Sequence, residues 1–300
     1  MSELQQPRLA GQTDAQARLT RIPKRQHWIW TLLANQVAVV GLAIVAVFLV
    51  VAAFAPVLAP KEPRTVAPLN SLQEPSRESL LGTDQFGRDV LSRVIHGARL
   101  SMGVGVSVGL ASIVFGMFLG VVSGYYRRLD SPIMRVMDAL MAFPSIILAI
   151  VLMGILGASI QNVIIALTVV FAPRVARVAR SSVLVAKEEV YVEAARSVGA
   201  DNFRIMFRHI FPNIVSPLIT QASYIFALAV LAEAALSFVG VGPSPDIPSW
   251  GNMLSEGQIV ARQAPWITIF PGVAIVLVVF GANLFGDGLR DALDPRLRGE

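Results

Sequence analysis

The chain has 300 residues, 54% hydrophobic and only 15% charged, with a mean hydropathy of +0.63. A soluble domain carries nearer a quarter charged residues, and the apolar excess falls in long charge-free runs, which points to one membrane-embedded body. There is no cysteine, which removes disulfides, thiol nucleophiles and thiolate metal sites. The net charge of +5 lies beside the apolar runs, so lipid orientation and not nucleic acid accounts for the basic residues.

In chain order, residues 1–27 form a polar leader and residues 28–59 carry the first predicted span. Its apolar run is Val37 to Leu58, with Trp28 and Trp30 placed as interfacial aromatics. The run exceeds the short apolar region of a signal peptide, so it reads as an uncleaved span. Residues 60–97 form an external segment, irregular from Pro60 to Pro75 where four prolines fall. Its Leu81–Leu100 part reads as an amphipathic helix lying on the external interface, with Val90, Leu91, Val94 and Ile95 on one side and Arg88, Asp89 and Arg93 on others.

Residues 98–289 hold five more runs: Leu100 to Val122, Ala139 to Leu156, Ile160 to about Ala172, Ile214 to Val241, and Trp266 to Phe285. Pro173 interrupts the fourth, which continues as a helix through "RVARVARSSVLVA". Six runs of this length predict an all-α integral membrane protein of six transmembrane helices, not a barrel of short alternating strands. With the N-terminus inside, 18 of the 25 Lys and Arg residues fall on the inner side. That bias puts both termini in the cytoplasm, including the tail at 290–300.

Within the second run, Gly116, Gly120 and Gly124 recur every fourth residue, below Gly105 and Gly109. Small residues on one helix face let backbones approach closely in lipid, so this span is expected inside a bundle, packed on a neighbouring helix or on a sliding surface. Glu233 lies deep in the fifth run, where an acidic group faces protein or water. It is either a hydrogen-bonding partner between helices or part of a gate. Asp138, Asn283 and Asp287 lie near span ends and read as structural.

The chain lacks an engine. None of its three lysines, Lys24, Lys61 and Lys187, follows a glycine, so no P-loop for ATP is present. Glu233 is nearly alone as an ionisable group within the runs, unlike the several acids or histidines of a proton-coupled carrier. HExxH and GxSxG are absent, which removes zinc and serine hydrolase chemistry and leaves an intramembrane enzyme without paired catalytic groups. A stand-alone secondary carrier is the rival reading.

The charged insert "EEVYVEAARSVGADNFRIMFRHIFPN", Glu188 to Asn213, supplies the missing connection. Good helix formers run from Glu188 to Val198, and Gly199 is placed for a left-handed cap. Asp201 can N-cap a second short helix, which Pro212 separates from the fifth span. From Glu193 to Arg196 only Ala194 and Ala195 intervene, so this face can either enter a groove on another protein or stand as a solvated surface loop without a partner.

The insert resembles the EAA loop of ABC importer permeases: Glu193, Ala194, Ala195, Gly199 and Pro212 match in register, while His209 and Phe211 stand where that pattern has Ile and Leu. "LLGTDQFGRDVLSRVIHGARLSMGVG", "MRVMDALMAFPSIILAI", "EAALSFVGVGPSPDIPSWGNML" and "NLFGDGLRDALDPRLRG" resemble the second permease subunit of the dipeptide/oligopeptide/nickel subfamily. The resemblance implies a type I ABC importer permease fold in a bacterial inner membrane. It also implies a homologous second permease subunit, two cytoplasmic ATPase subunits that bind ATP and Mg, and a soluble periplasmic or extracellular substrate-binding protein. This chain itself is expected to hold no cofactor or metal and to catalyse no reaction. The loop at about 186–212 would be the ATPase coupling element, and the substrate a dipeptide or short peptide, with nickel or glutathione as alternatives.

Overall fold

A computed structural model of the chain describes residues 32–33 and 35–293; the leader, Trp28, Trp30 and the last residues of the tail lie outside the described residues. Helix α1 (Gln36–Ala53) starts where the Asn35 side chain accepts from Val37 N and Ala38 N at 3.0 and 3.3 Å. This satisfies two of the amides that a helix start leaves open. Helix α2 (Val90–Tyr125) is capped by Asp89, and α3 (Arg127–Met141) and α4 (Ser145–Leu156) follow. Then come α5 (Ile160–Ala186), α6 (Val190–Ser197), α7 (Asn202–Phe238), α8 (Trp250–Gly257) and α9 (Trp266–Leu293).

Among the described residues five helices, α1, α2, α5, α7 and α9, are long and apolar enough to cross a membrane, and α3 with α4 makes a sixth crossing if the bent pair counts as one. The third run is therefore not the straight helix expected. The chain bends by 95° between α3 and α4. Pro144 lies at the bend with an extended backbone (ψ 128°). Proline has no amide to donate and disfavours helical geometry in the residue before it, so the helix stops at Met141 and restarts at Ser145. Helix α4 alone is about 18 Å long, short of the roughly 30 Å hydrocarbon layer. Helix α3 lies against α5 through ion pairs, Asp130 with Arg180 (2.5 Å) and Asp138 with Arg177 (2.7 Å).

The amphipathic external helix expected over Leu81–Leu100 is also corrected. Residues 81–89 are turns and one isolated bridge, Thr83 to Asp89, and the helical part is the first stretch of α2 itself. At 36 residues α2 is about 54 Å long, so it rises out of the bundle. Arg93, expected on a solvent face, is 2% exposed and paired with Asp84 and Glu256.

The core forms where α2, α5 and α7 meet, with Val104, Val108, Val163, Leu167, Phe171 and Ile225 buried together. The glycine face of α2 makes this approach possible. A Cβ on Gly116 would lie 2.5 Å from Val175 Cβ, one on Gly120 2.6 Å from Ala179 Cβ, and one on Gly124 2.9 Å from Val183 Cβ. All three glycines are therefore packed on α5 within this chain. Higher on the same helix, Gly105 faces Val230 and Phe226 of α7. A second close crossing joins α1 to α9, where Gly41 meets the backbone of Gly281 and Phe285.

The two ends of the bundle differ. At one end α8 is held to α2 by the Trp250 indole, which donates to Val94 O at 3.0 Å, with Phe48 of α1 edge-on to the ring. The 60–89 segment is fastened there by Lys61 N to Ser92 Oγ (3.0 Å) and by Trp266 Nε1 to Thr83 O (3.1 Å). The other end carries α6.

Candidate functional site

Helix α6 and the start of α7 form a hairpin beyond the C-terminal end of α2. Gly199, at φ +82°, closes α6. Ala200 N donates to Ala195 O at 3.0 Å and Gly199 N to Arg196 O at 3.0 Å. These are the paired bonds of a Schellman cap, which needs a residue in the left-handed region at the Gly199 position. Asp201 then caps α7 by accepting from Arg204 N at 2.6 Å.

The second arm differs from expectation. Pro212 does not separate it from the fifth span, because α7 runs unbroken from Asn202 to Phe238. Residues Ile205–Ile210 form a π-helical segment, in which Phe211 N donates to Met206 O, five residues back. The wider π turn admits the proline ring at the following position, which a regular α-turn would place against a preceding carbonyl. Asn213 Nδ2 donates to His209 O at 2.7 Å, so a side chain satisfies backbone in the same turn.

The hairpin is attached to the bundle by an apolar inner face and a few polar ties. Val192, Ile205 and Ile210 are fully buried. Asn213 Nδ2 also donates to Tyr191 Oη at 2.9 Å, Tyr125 Oη donates to Asn202 Oδ1 at 2.6 Å, and Lys187 Nζ donates to Gly124 O at 3.3 Å. The Tyr191 ring lies 6.4 Å from His209, and burial with the nearby Glu189 charge raises the Tyr191 hydroxyl above the usual phenol range.

Outward, the hairpin is unusually apolar for a charged insert. Val190, Val198, Phe203 and Phe207 are exposed, at 79%, 86%, 68% and 53%, and Phe203, Phe207 and Phe211 stack in a row. Glu193, Ala194 and Pro212 are exposed and Ala195 is half-buried. Between the two arms, Ala194, Ala195, Val198, Arg204, Arg208 and His209 line a recess of about 670 Å³. Methyl-sized walls, a basic side and solvent-facing aromatics suit a protein partner better than a small molecule.

Residues 112–299 match the family described as binding-protein-dependent transport system inner membrane component, and residues 25–75 match the N-terminal TM domain of oligopeptide transport permease C. The chain belongs to this permease family. It is 46% identical over 265 residues to the dipeptide transport system permease protein DppC of Alkalihalophilus pseudofirmus, covering 88% of this chain and 87% of that one. To the Escherichia coli K12 protein of the same name it is 47% identical over 283 residues, 92% and 94% of the two chains. It is 40% identical to the glutathione transport system permease protein GsiD of Pectobacterium atrosepticum, over 93% of each chain. A chain of the MetNI methionine ABC transporter in an inward facing conformation superposes with a TM-score of 0.55 at 21% identity, covering 67% of this chain and 96% of that chain. The fold is thus that of an importer permease.

In this permease Glu193, Ala194, Ala195, Gly199 and Pro212 all lie on the hairpin. Glu233 lies far from them, toward the other end of α7. It is fully buried and accepts from Ser101 Oγ of α2 and Ser237 Oγ of its own helix, both at 2.8 Å. Ser249, which caps α8 through Asn252 N, lies beside it. The carboxylate therefore joins α7 to α2. Sequence reasoning missed those three serines, since hydroxyls scattered over 149 positions carry no spacing signal. It also missed the Asp84, Arg88, Arg93 and Glu256 cluster, in which each arginine bonds both acids. Among the described residues no three His, Asp or Glu side chains gather as metal ligands.

Proposed function

We propose that this permease is the transmembrane subunit of an ATP-driven importer of dipeptides and short peptides, working by alternating access. Its complex comprises a homologous second permease, two cytoplasmic ATPase subunits that hold ATP and Mg, and a soluble binding protein on the opposite face of the membrane. Both chain termini face the cytoplasm. The observation that carries this reading is full-length similarity at 46% and 47% to two permeases named for dipeptide transport. The hairpin supports it independently.

Helix α6, with Glu193, Ala194 and Ala195 on its outer side, enters a groove on an ATPase subunit. Closure of the ATPases displaces the hairpin. Because α7 is one helix from Asn202 to Phe238, that displacement passes straight into a membrane span. The buried face at Val192, Ile205 and Ile210 carries the same motion into the core. The binding protein releases its peptide into the opened path, and ATP hydrolysis resets it.

Reconstitution tests the reading. The chain with its partner permease, ATPases and binding protein takes up dipeptide only when ATP is supplied; gradient-driven uptake by the chain alone would instead establish a secondary carrier. Glutathione is the second reading, favoured by the 40% similarity to a glutathione permease. Titration of the cognate binding protein with alanyl-phenylalanine, glutathione and nickel separates the substrates.

A further inference from the structure

At the end of the bundle away from the hairpin, a recess of about 490 Å³ opens beside the start of α2. Ligand sites for small molecules span roughly 300–1,000 Å³. Arg99, Gly103 and Ser107 follow one another at four-residue intervals down one face of α2, so the recess descends along the helix by about 12 Å. Ile160 and Ile164 of α5 line it, with Leu100 and Val104 of α2, giving it an apolar wall. Gly103 leaves it open, since a Cβ there would meet nothing within 4 Å.

Its charges separate it from the rest of that end. Arg88 and Arg93 are each held by both Asp84 and Glu256, so their charges are already balanced within that cluster. The side chains of Arg64 and Arg99 line the recess, are exposed, and have no ion-pair or hydrogen-bond partner among the described residues. His96 lies beside them, its Nδ1 occupied by Ser92 O at 3.0 Å and its Nε2 free. One acid, Glu62, stands among these bases, also without a partner.

Guanidinium groups present a planar fork of donors that matches a carboxylate, and the match strengthens beside an apolar wall. A lone acid close by offers a complement for an ammonium group. Two arginines, one glutamate and an aliphatic wall together match a short zwitterionic chain with an apolar side group.

We infer that this recess is a substrate half-site of the permease, in which Arg99 and Arg64 hold the terminal carboxylate of a short peptide and Glu62 faces its amino end. The inference rests on the peptide reading given above and deepens it by assigning residues of this chain to substrate contact. The partner permease closes the other side of the path.

The test uses the complete transporter with its binding protein, in nanodiscs and in proteoliposomes. First, alanyl-phenylalanine and its C-terminal amide are titrated into the transporter without binding protein. The free acid binds about tenfold or more tightly than the amide, as loss of a charge-assisted pair requires, and Arg64→Gln/Arg99→Gln abolishes that preference. Second, uptake of alanyl-phenylalanine at saturating binding protein falls about tenfold in the double variant, while Arg99→Lys alone stays within about threefold. Both arginines are exposed, so neither change disturbs a packed core. Equal binding of acid and amide, or unchanged uptake in the double variant, overturns the inference. A loss of uptake matched by an equal loss of binding-protein docking overturns it too, and assigns the recess to that protein's surface. Wild-type transporter that imports no dipeptide at all sinks the peptide reading itself, a result distinct from failure of the variants alone.

Discussion

The carboxamide of Asn213 donates to the hydroxyl of Tyr191 at 2.9 Å and so ties α6 to the first turns of α7. Both residues are partly exposed, yet their bond closes the hairpin at its base. Tyr191→Phe removes the acceptor and Asn213→Ala the donor. Each is expected to lower peptide uptake per ATP hydrolysed by about threefold to fivefold, the effect of about 1 kcal/mol. The two changes together should be no worse than Asn213→Ala alone, which already removes this bond along with the one to His209 O. Paired uptake and ATPase assays in proteoliposomes measure this, and additive losses would count against a shared role.

Gly199 stands at φ +82°, and a Cβ there would meet nothing within 4 Å. The cost of a side chain at this position is conformational, not steric. Gly199→Val is expected to strain the cap by about 1–3 kcal/mol and uncouple uptake from ATP hydrolysis, while the complex still assembles. Gly199→Asn, which tolerates the left-handed region, should retain most activity. Equal behaviour of Val and Asn would rule out the cap as the cause.

Glu193 is exposed and has no ion-pair partner among the described residues. If α6 enters an ATPase groove, its charge meets a complementary one. Glu193→Lys should cut co-purification of the ATPase subunits about fivefold or more. Unchanged subunit ratios in the purified complex would contradict that contact.

Glycines on α2 differ in what surrounds them. Gly120 has Ala179 Cβ at 2.6 Å from its would-be Cβ, whereas Gly103 has free space. Gly120→Val should destabilise the bundle by about 1–3 kcal/mol or more, read as a lowered Tm in detergent. Gly103→Ala, on the same helix, should leave Tm unchanged. Both changes raise helix propensity, so a similar loss for both would count against the α2–α5 approach as the cause.

Arg93 is nearly buried between Asp84 and Glu256. Arg93→Met leaves two acids sharing the single cation of Arg88, which is expected to cost less than the roughly 3–5 kcal/mol of a fully broken buried pair. Limited proteolysis should then cut within residues 60–89, which wild-type protein protects. Protection unchanged in the variant would show that Arg88, Trp266 and Lys61 hold the segment without Arg93.

Local features of this molecule were readable from its sequence. Charge-free runs located the spans because lipid demands them, and the Gly116, Gly120 and Gly124 interval marked a face that meets α5. The Gly199 cap and the Asp201 cap follow from residue type alone. What escaped was set by tertiary context. Pro144 signals a break, but the 95° angle across it accompanies the ion pairs that hold α3 on α5, and the continuity of α7 depends on a π segment with no composition signal. Arg93 looked solvated because its partner Glu256 lies 163 positions away. Glu233 was legible as a buried acid, but one of its two serine donors, Ser101, lies 132 positions away on α2.

The unbroken course of α7 has one more consequence. Near one end of it Asn213 ties the hairpin, and near the other Glu233 accepts from Ser101 of α2. The two ends of the bundle thus share a single axle, with the hairpin at one end and α8 near the other. Thermodynamic reciprocity then applies: if a loaded binding protein and ATPase closure favour the same setting of the axle, each tightens the other's hold by the same factor.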